Sequence, residues 1–504
     1  MKRYDVIVVG TGGGSIVVEA ALQKGLRCAL IEKGRFGGTC LNRGCIPTKV
    51  LATAADYVRE IAEVAKIGVD AGTATMNWEK VSQRVWQKID FNKKIQAAYE
   101  SMKNLDVYRG TGYFTAEKTL QVTLHDGTIT EEMTADKVFI GVGAHTTIPD
   151  IVGLQEAGYI SSESLFGDKY PDKPYKSLIV LGGGPIGTEF AHIFAAAGTK
   201  VTLIQRNVRL LPKEDEDISA QILTDLRGHG IDIYLNRKAM AVRLESGEKV
   251  LTFHDRDTGE SLEVRAEEIM LATGITPYTD ALKMENTTIE MDERGFIRTN
   301  EFLETSVDGV WAFGDVNGGD AFRHKANYEA EIITHNLFGD HEPHNWRWAR
   351  YDLVPAVTFT YPQVSHVGLT EKQAIAKGYA VETGVNHYSS TAKGYALGFE
   401  PGNPHDGFVK IIVDTATNNI LGIHAIGPQA SVLTQPFVNL MNAGETKLKP
   451  VNEHIASATV RRLRAAGLTR TLDPHSVISI GETMTPHPGL TEVIMWTQYY
   501  YEGR

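Results

Sequence analysis

Two segments of the chain share one pattern of apolar and polar positions. Each begins with an unbroken apolar run, at residues 6–9 and 178–181, and continues into clustered glycines and then a helix-like stretch. A strand that is apolar at every position is typical of a parallel sheet covered on both faces. Strand, glycine turn and helix in this order are typical of a dinucleotide-binding unit, because the glycines let a pyrophosphate approach backbone amides at the helix N-terminus. The pattern therefore predicts two nucleotide-binding folds in one chain.

The first of these folds carries a nearly complete set of nucleotide-binding signals. Its turn contains Gly10, Gly12 and Gly14, and Ser15 stands where a third glycine is usual. Glu32 ends the next apolar strand, 20 residues after Gly12, where a carboxylate can accept hydrogen bonds from an adenosine ribose. We expect these residues to bind the adenosine and pyrophosphate of a dinucleotide.

The second fold differs at the end of its following strand. Its turn contains Gly182, Gly184 and Gly187, but the next strand ends at Gln205 and Arg206 in place of an acidic residue. An uncharged Gln205 removes repulsion against a 2′-phosphate, and Arg206 can pair with one, so the pattern favours NADP. NAD stays an alternative because the third glycine is regular and no arginine adjoins Arg206.

A pair of cysteines lies directly downstream of the first fold. Four residues separate Cys40 from Cys45, a little more than one helical turn, and a disulfide needs Cα atoms about 4.4–6.8 Å apart, so the pair can alternate between dithiol and disulfide. The alternatives are a metal pair or two buried thiols. Since Cys28 is the only other cysteine, a four-sulfur metal site is excluded. We predict a redox-active pair, no metal site, and a core position for Cys28.

Composition limits the class of protein. A chain of 504 residues with 42% hydrophobic and 22% charged residues is an ordinary globular protein of several domains. The net charge of −11 argues against a nucleic-acid partner, and no apolar run approaches the roughly 20 residues that cross a membrane. The first strand runs into glycines instead of a signal-peptide cleavage site, and three cysteines suit a reducing compartment, so we expect a cytoplasmic location.

Several motifs together resemble the pyridine nucleotide–disulfide oxidoreductases of the dihydrolipoamide dehydrogenase and glutathione reductase type, from about residue 4 to 500. Residues 37–49 are similar to the family's active-site helix, and residues 307–315 to its second flavin motif. Residues 321–326 resemble the flavin segment that follows, closest to its lipoamide dehydrogenase version. Residues 487–492 resemble the C-terminal His-Pro motif.

The resemblance implies an α/β fold with two Rossmann-like dinucleotide-binding domains, for FAD and NAD(P), and a C-terminal α+β dimerisation domain. The implied boundaries are residues 1–150 and 275–350 for FAD binding, 151–274 for NAD(P) binding and 351–504 for dimerisation. The segment 445–485 is longer than is usual in the family and contains four arginines within ten residues. We interpret these arginines as a solvated helix face, with contact to an acidic partner as the alternative.

The resemblance also implies roles for individual residues. Cys45 is expected against the flavin and Cys40 toward the substrate, with Lys49 beside the flavin and paired with Glu189. The further implied cofactor contacts are Gly38, Thr39, Thr111, Gly112, Gly274, Asp315, Ala321 and His324.

The C-terminal motif implies a homodimer with a shared active site. In the family its histidine, here His487, reaches the disulfide of the other subunit, and its glutamate, here Glu492, orients the ring. The implied function is FAD-dependent electron transfer between NAD(P)H and a small dithiol or disulfide, most like dihydrolipoamide dehydrogenase. The alternatives are a reductase of another low-molecular-weight disulfide and a non-catalytic flavoprotein redox sensor. His487 and Glu492 favour catalysis over sensing, because a sensor needs no proton-transfer residue.

Overall fold

The computed structural model describes residues 1–501 and has an α/β fold in which two mainly parallel sheets precede an antiparallel one. The first sheet has six strands. Their bounds are Lys2–Val9, Cys28–Glu32, Leu105–Ala116, Thr119–Leu124, Met133–Ile140 and Val310–Ala312. The last of these pairs in parallel with Met133–Ile140, although the whole second sheet intervenes in the sequence. The first sheet is therefore built from two separate stretches of chain.

Helices pack on one face of this sheet and continue through the predicted redox segment. Their bounds are Gly14–Gln23, Gly38–Arg43, Cys45–Glu63, Trp78–Ile89, Phe91–Glu100 and Arg323–Phe338. The strand residues Val6, Val8, Cys28 and Leu30 pack into the core on one face, so the core position predicted for Cys28 is confirmed. Two of these helices, Trp78–Ile89 and Phe91–Glu100, follow one another directly.

The second nucleotide fold has a five-stranded parallel sheet and a three-stranded antiparallel sheet. The parallel strands are Asp232–Tyr234, Lys200–Ile204, Ser177–Leu181, Glu268–Leu271 and Ile160–Ser161, in spatial order. The antiparallel strands are Arg237–Glu245, Glu248–Asp255 and Ser261–Ala266. The helices here are Leu154–Ala157, Ser162–Leu165, Pro185–Ala196 and Glu216–Gly228. A two-stranded ribbon, Ala144–Thr146 with Ile275–Pro277, connects this fold to the first.

The C-terminal part is built on a five-stranded antiparallel sheet. Its strands are Ala356–Thr358, Gln363–Gly368, Asn419–Gly427, Phe408–Asp414 and Val381–His387. Its helices are Glu371–Ala376, Ala392–Ala396, Ala430–Leu433, Gln435–Asn442 and Glu492–Tyr501. The α+β character expected of this part of the chain is confirmed.

The long segment before the C-terminal motif forms a small unit of its own. A hairpin, Gly444–Lys447 with Thr469–Leu472, encloses the helix Ala458–Ala466, which packs on Phe302 and Trp348. Two of its four arginines, Arg461 and Arg462, are exposed as predicted. The other two are not.

The sheltered arginines anchor this unit to the rest of the chain. Arg464 lies 2.6 Å from the buried carboxylate of Glu301, and Arg470 pairs with Glu482. The solvated-face interpretation is therefore wrong for Arg464 and Arg470, because the unit docks on the first nucleotide fold. No helix among residues 1–501 has the length and apolar character needed to cross a bilayer.

Candidate active site

A cleft lies at the carboxyl ends of the first two parallel strands. Ligands of open parallel sheets bind at this edge. The sequence-predicted residues that line it are Gly10, Gly12, Glu32, Gly38, Thr39, Cys40, Cys45, Thr111, Gly112, Asp315 and Ala321. The structure thus brings together residues that are up to about 300 positions apart in the sequence.

The glycine turn of the first fold leaves room for a phosphate group. Gly10 has φ of +99°, and a Cβ there would lie 2.4 Å from the carbonyl oxygen of Gly141. A Cβ on Gly12 would contact only the Arg323 guanidinium, at 3.6 Å, so this glycine keeps the backbone accessible from the cleft. Gly14 does not line the cleft; a Cβ there would meet Val8 at 2.8 Å, so it allows the helix to pack on the sheet.

Glu32 closes the turn through hydrogen bonds to its backbone. One carboxylate oxygen accepts from the amide and the hydroxyl of Thr11, and the other accepts from the amide of Gly34. A carboxylate oxygen has two lone pairs, so the second oxygen retains acceptor capacity toward the cleft. Glu32 therefore can both brace the turn and accept a ribose hydroxyl.

Asp315 presents a second carboxyl group to the same cleft. Burial raises its pKa, and no residue that the structure describes donates a hydrogen bond to it. A partly buried carboxylate without a donor gains from a ligand that supplies one. The glycine turn, the Glu32 acceptor and the Asp315 carboxylate together fit the pyrophosphate and hydroxyl-rich chains of FAD.

The second fold repeats the turn geometry with a neutral side chain. Gly182 has φ of +115°, and a Cβ on Gly187 would lie 1.8 Å from the Gly182 carbonyl oxygen. Gln205 is buried and accepts a hydrogen bond from the amide of Gly183, whereas Arg206 is exposed beside it. Gly184 precedes the helix Pro185–Ala196, and nothing would contact a Cβ there within 4 Å. These positions suit a dinucleotide phosphate at a helix N-terminus.

The redox cysteines lie on two consecutive helices with a break between them. Cys40 is inside the helix Gly38–Arg43, and Gly44 interrupts the helical backbone, so that Cys45 becomes the first residue of the helix Cys45–Glu63. Both cysteines are thiols in this structure. Their sulfur atoms and a ring nitrogen of His487 lie within 4.8 Å of one another.

This arrangement separates the acidities of the two thiols. A hydrogen bond from Cys40 lowers the pKa of Cys45 to about 6, and the charges of His487, Lys49 and Arg323 act in the same direction. The same hydrogen bond, together with burial, raises the pKa of Cys40. The first proton leaves the pair near neutral pH, and the resulting thiolate is the nucleophilic form of the pair.

His487 lies against Cys40 of its own chain. Its Nε2 is 3.0 Å from the Cys40 sulfur, and its Nδ1 is 2.7 Å from a carboxylate oxygen of Glu492. The other oxygen of Glu492 accepts a hydrogen bond from the amide of Gly489, which fixes the carboxylate. A carboxylate–imidazole–thiol series of this kind can move a proton to and from sulfur.

The single chain places His487 on its own Cys40, and an active site shared between subunits stays a prediction. The preceding segment is held by its own chain, since Thr483 contacts Asn439 and Glu482 pairs with Arg347. The tail is thereby directed to the cysteines of the same chain. The spacing of His487 and Glu492 is the same in either arrangement, so sequence alone does not distinguish them.

His324 has a different position from the one predicted. It does not line the cleft; its Nδ1 accepts a hydrogen bond from the amide of His487, and its Nε2 lies 2.8 Å from the carbonyl oxygen of Pro355. A carbonyl only accepts, so Nε2 carries the hydrogen, and burial lowers the pKa of His324 to about 4. The neutral ring therefore positions the backbone of His487.

Lys49 and Glu189 form the predicted ion pair at the junction of three parts of the chain. Lys49 Nζ is 2.7 Å from one carboxylate oxygen of Glu189, and the amide of Phe359 donates to the other. The Lys49 ammonium also lies 4.6 Å from the centre of the Phe359 ring. Lys49 follows Cys45 by one helical turn, so the pair places a positive charge beside the redox helix. Gly274, with φ of +103°, lies at the return from the second fold to the first.

Some lining residues were missed by sequence reasoning. Arg323 lines the cleft and favours the Cys45 thiolate. In the sequence Arg323 lies between Ala321 and His324, two predicted cofactor contacts, and this position was the signal that could have identified it. Arg43 and Tyr278 also line the cleft and both contact Glu163, but they come from different parts of the chain and only the fold unites them.

The fold and the site define the class of flavin- and nicotinamide-dependent disulfide oxidoreductases. Residues 4–335 match the pyridine nucleotide-disulphide oxidoreductase family, and residues 354–460 match the dimerisation domain of that family. The chain belongs to this family. The dimerisation domain indicates a homodimer.

Similar proteins come from several branches of the family. Mycothione reductase of Mycobacterium tuberculosis is 33% identical over 88% of this chain and 94% of that protein. Dihydrolipoyl dehydrogenase of Bacillus subtilis is 31% identical over 98% of this chain and 96% of that protein. The Cu(II) complex of the HOCl-induced flavoprotein disulfide reductase RclA from Escherichia coli superposes with a TM-score of 0.73 at 27% identity, covering 99% of this chain and 100% of that one. These relatives confirm the family and leave the substrate open.

Proposed function

We propose that this chain is an NAD(P)H:disulfide oxidoreductase that acts on a small dithiol or disulfide, with a lipoamide-type substrate favoured. The observation that carries this proposal is the contact between the Cys40 sulfur and His487, backed by Glu492, at the mouth of the cleft that fits FAD. Bound there, FAD would supply two-electron transfer between a nicotinamide and a disulfide. The domain boundaries given above and a cytoplasmic location remain predictions.

The residues account for exchange with an external disulfide. His487 takes the proton of the reduced pair at Cys40, whose sulfur then attacks one sulfur of the substrate and forms a mixed disulfide. The departing substrate sulfur leaves as a thiolate and takes up that proton from His487. The Cys45 thiolate then attacks the Cys40 sulfur, which closes the Cys40–Cys45 disulfide and releases the second substrate sulfur as a thiolate that takes a proton from solvent. One substrate disulfide becomes two thiols, and the protein pair is oxidised.

We further propose NADPH as the preferred coenzyme. Gln205 places no negative charge near the adenosine ribose, and Arg206 is exposed next to it. Arg256, in the turn that follows the strand Glu248–Asp255, donates a hydrogen bond to the backbone carbonyl of Arg206, so a second guanidinium lies at the same surface. This second arginine is 50 residues away in the sequence and does not enter the local motif. Two guanidinium groups favour a 2′-phosphate.

Steady-state oxidation of NADPH and NADH with a panel of disulfides tests the function. We expect turnover of oxidised lipoamide, with glutathione disulfide and mycothione as comparison substrates, and a higher kcat/KM for NADPH. A protein that holds FAD but turns over another small disulfide in preference supports the second candidate, a reductase of that compound. Absence of turnover with every disulfide, in protein with bound FAD, contradicts the enzymatic proposal and favours the redox sensor.

A further inference from the structure

Three polar side chains meet where the second nucleotide fold packs on the C-terminal sheet, away from the redox cleft. Glu214 precedes the helix Glu216–Gly228, and His366 and His424 are cross-strand partners on adjacent strands. A carboxylate oxygen of Glu214 and one ring nitrogen from each histidine lie within 4.8 Å of one another. The cluster is thus contributed by two separately folded parts of the chain.

The carboxylate of this cluster is almost inaccessible to water. Glu214 is 6% exposed, and its Oε2 lies 2.7 Å from His366 Nδ1 and 3.9 Å from His424 Nδ1. One carboxylate oxygen of Glu214 therefore faces a ring nitrogen from each histidine.

His424 turns a ring nitrogen without a hydrogen toward the Glu214 carboxylate. Its Nε2 lies 3.0 Å from the carbonyl oxygen of Leu369, and a carbonyl only accepts, so Nε2 carries a hydrogen. Its Nδ1 is fully buried and has no hydrogen-bond partner among the residues that the structure describes. An unpaired buried nitrogen is costly, by about 1–3 kcal/mol in general. A ring held by one N–H on a backbone carbonyl, with the other nitrogen free, is the arrangement of a metal-ligating histidine.

The geometry points to a binding site for a divalent transition-metal ion, with zinc as the best match, formed by Glu214, His366 and His424. Imidazole nitrogen and carboxylate oxygen are zinc ligands at about 2.0–2.2 Å, which places neighbouring ligand atoms of a tetrahedral site about 3.3 Å apart. The two measured separations from Glu214, 2.7 and 3.9 Å, lie on either side of that value. A water molecule completes the coordination from the side of His366, whose side chain is 16% exposed. The bound ion joins the second nucleotide fold to the C-terminal sheet.

Neighbouring charges do not neutralise this site. Lys213 pairs with Asp320 and Lys410 pairs with Asp215, so each nearby ammonium already has a carboxylate partner. Protonation of His424 at Nδ1 is the alternative to metal coordination at this nitrogen. Measuring metal binding distinguishes the two explanations. The site is independent of the proposed enzymatic function, because none of its three ligands touches the cleft.

Zinc binding to the protein without its redox cysteines tests the site. Cys40, Cys45 and His487 form a second potential metal cluster, so the parent protein is the FAD-bound Cys40→Ser/Cys45→Ser double variant, treated with EDTA and dialysed. Titration with zinc chloride, followed by calorimetry and metal analysis, is expected to give one ion per chain. Glu214→Gln or His424→Gln in this parent is expected to weaken binding at least about 100-fold, since each removes a ligand.

A matched control and a stability readout make the result decisive. His405 also lies 2.6 Å from a buried carboxylate, Asp225, but belongs to no three-ligand cluster among the described residues, so His405→Gln should bind zinc like the parent. Zinc should raise the unfolding temperature of the parent and not that of Glu214→Gln. If a variant does not retain FAD, His366→Gln replaces it. A parent that binds no zinc at 100-micromolar concentration, or variants that bind it as the parent does, would overturn the proposal.

Discussion

The two nucleotide folds of this chain follow one plan but differ at the third small position of the turn. In the first fold Ser15 occupies it, and its hydroxyl donates a 2.9 Å hydrogen bond to the carbonyl of Gly12. In the second fold a Cβ on Gly187 would lie 1.8 Å from a backbone oxygen. The second helix therefore approaches its turn more closely than the first. Ser15 in place of the third glycine therefore indicates a larger distance between helix and turn in the first fold. It does not indicate that the binding site is lost.

The folds also differ at the end of the second strand. Glu32 accepts a hydrogen bond from the amide of Thr11, and Gln205 accepts one from the amide of Gly183, so both side chains brace the turn in the same way. The two side chains differ in charge, since Glu32 is acidic and Gln205 is neutral. The comparison shows that bracing the turn and choosing the ligand are separable roles of one position.

The strongest test of this comparison exchanges the third small residue. Gly187→Ser should remove NAD(P)H oxidation and destabilise the protein by about 3 kcal/mol or more, because the new Cβ overlaps a backbone oxygen that cannot move aside. The reciprocal control, Ser15→Gly, loses one hydrogen bond and gains backbone freedom, worth about 1–2 kcal/mol. Urea unfolding and coenzyme kinetics measure both. Equal effects of the two substitutions would contradict the difference in helix–turn distance.

The second test concerns the thiols, which only the first fold carries. In the reduced protein the rate of alkylation should rise with an apparent pKa of about 6, below the value of about 8.5 for an ordinary cysteine. Because the folded-state pKa is lowered, the thiolate contributes stability that is fully present above the unfolded pKa and is lost as the pH falls through about 6.

Alkylation by iodoacetamide across pH 4–9, with stability measured in parallel, checks this prediction. His487→Gln should shift the midpoint upward, since the charge of His487 favours the thiolate. A midpoint near 8.5 in the unsubstituted protein would show that the pair is not activated.

The smallest expected effect comes from restoring the charge at the end of the strand in the second fold. Gln205→Glu should lower kcat/KM for NADPH about 10-fold relative to NADH, equivalent to about 1.4 kcal/mol, because the carboxylate repels a 2′-phosphate. Arg256→Ala should weaken use of NADPH and leave NADH unaffected. An unchanged coenzyme ratio in both variants would remove the basis for the NADP preference.

The sequence predicted those features that depend on local pattern. Apolar strands, glycine turns and the spacing of Cys40 and Cys45 report backbone geometry directly, so both nucleotide folds and the redox helix were found. The pairing of Lys49 with Glu189 was found because each lies in a motif with a known register.

Features that depend on packing between distant segments were not predictable. Arg464 is sheltered because a helix docks on Glu301, and the cluster of Glu214 with two histidines exists only once two folds meet. The position of His487 on its own chain depends on the path of residues 443–486, which carries no periodic signal. His324 was placed on the cofactor by resemblance, whereas its hydrogen bonds direct it to His487.

Anaerobic reduction of the FAD-bound protein by two electron equivalents tests the central claim most directly, namely that the Cys40–Cys45 pair exchanges electrons with the flavin. The unsubstituted protein, and the core control Cys28→Ala, should develop a long-wavelength thiolate–flavin absorbance band. Cys45→Ser should lack this band and lose disulfide reduction. A Cys45→Ser protein with the full band and full reductase activity would contradict the account.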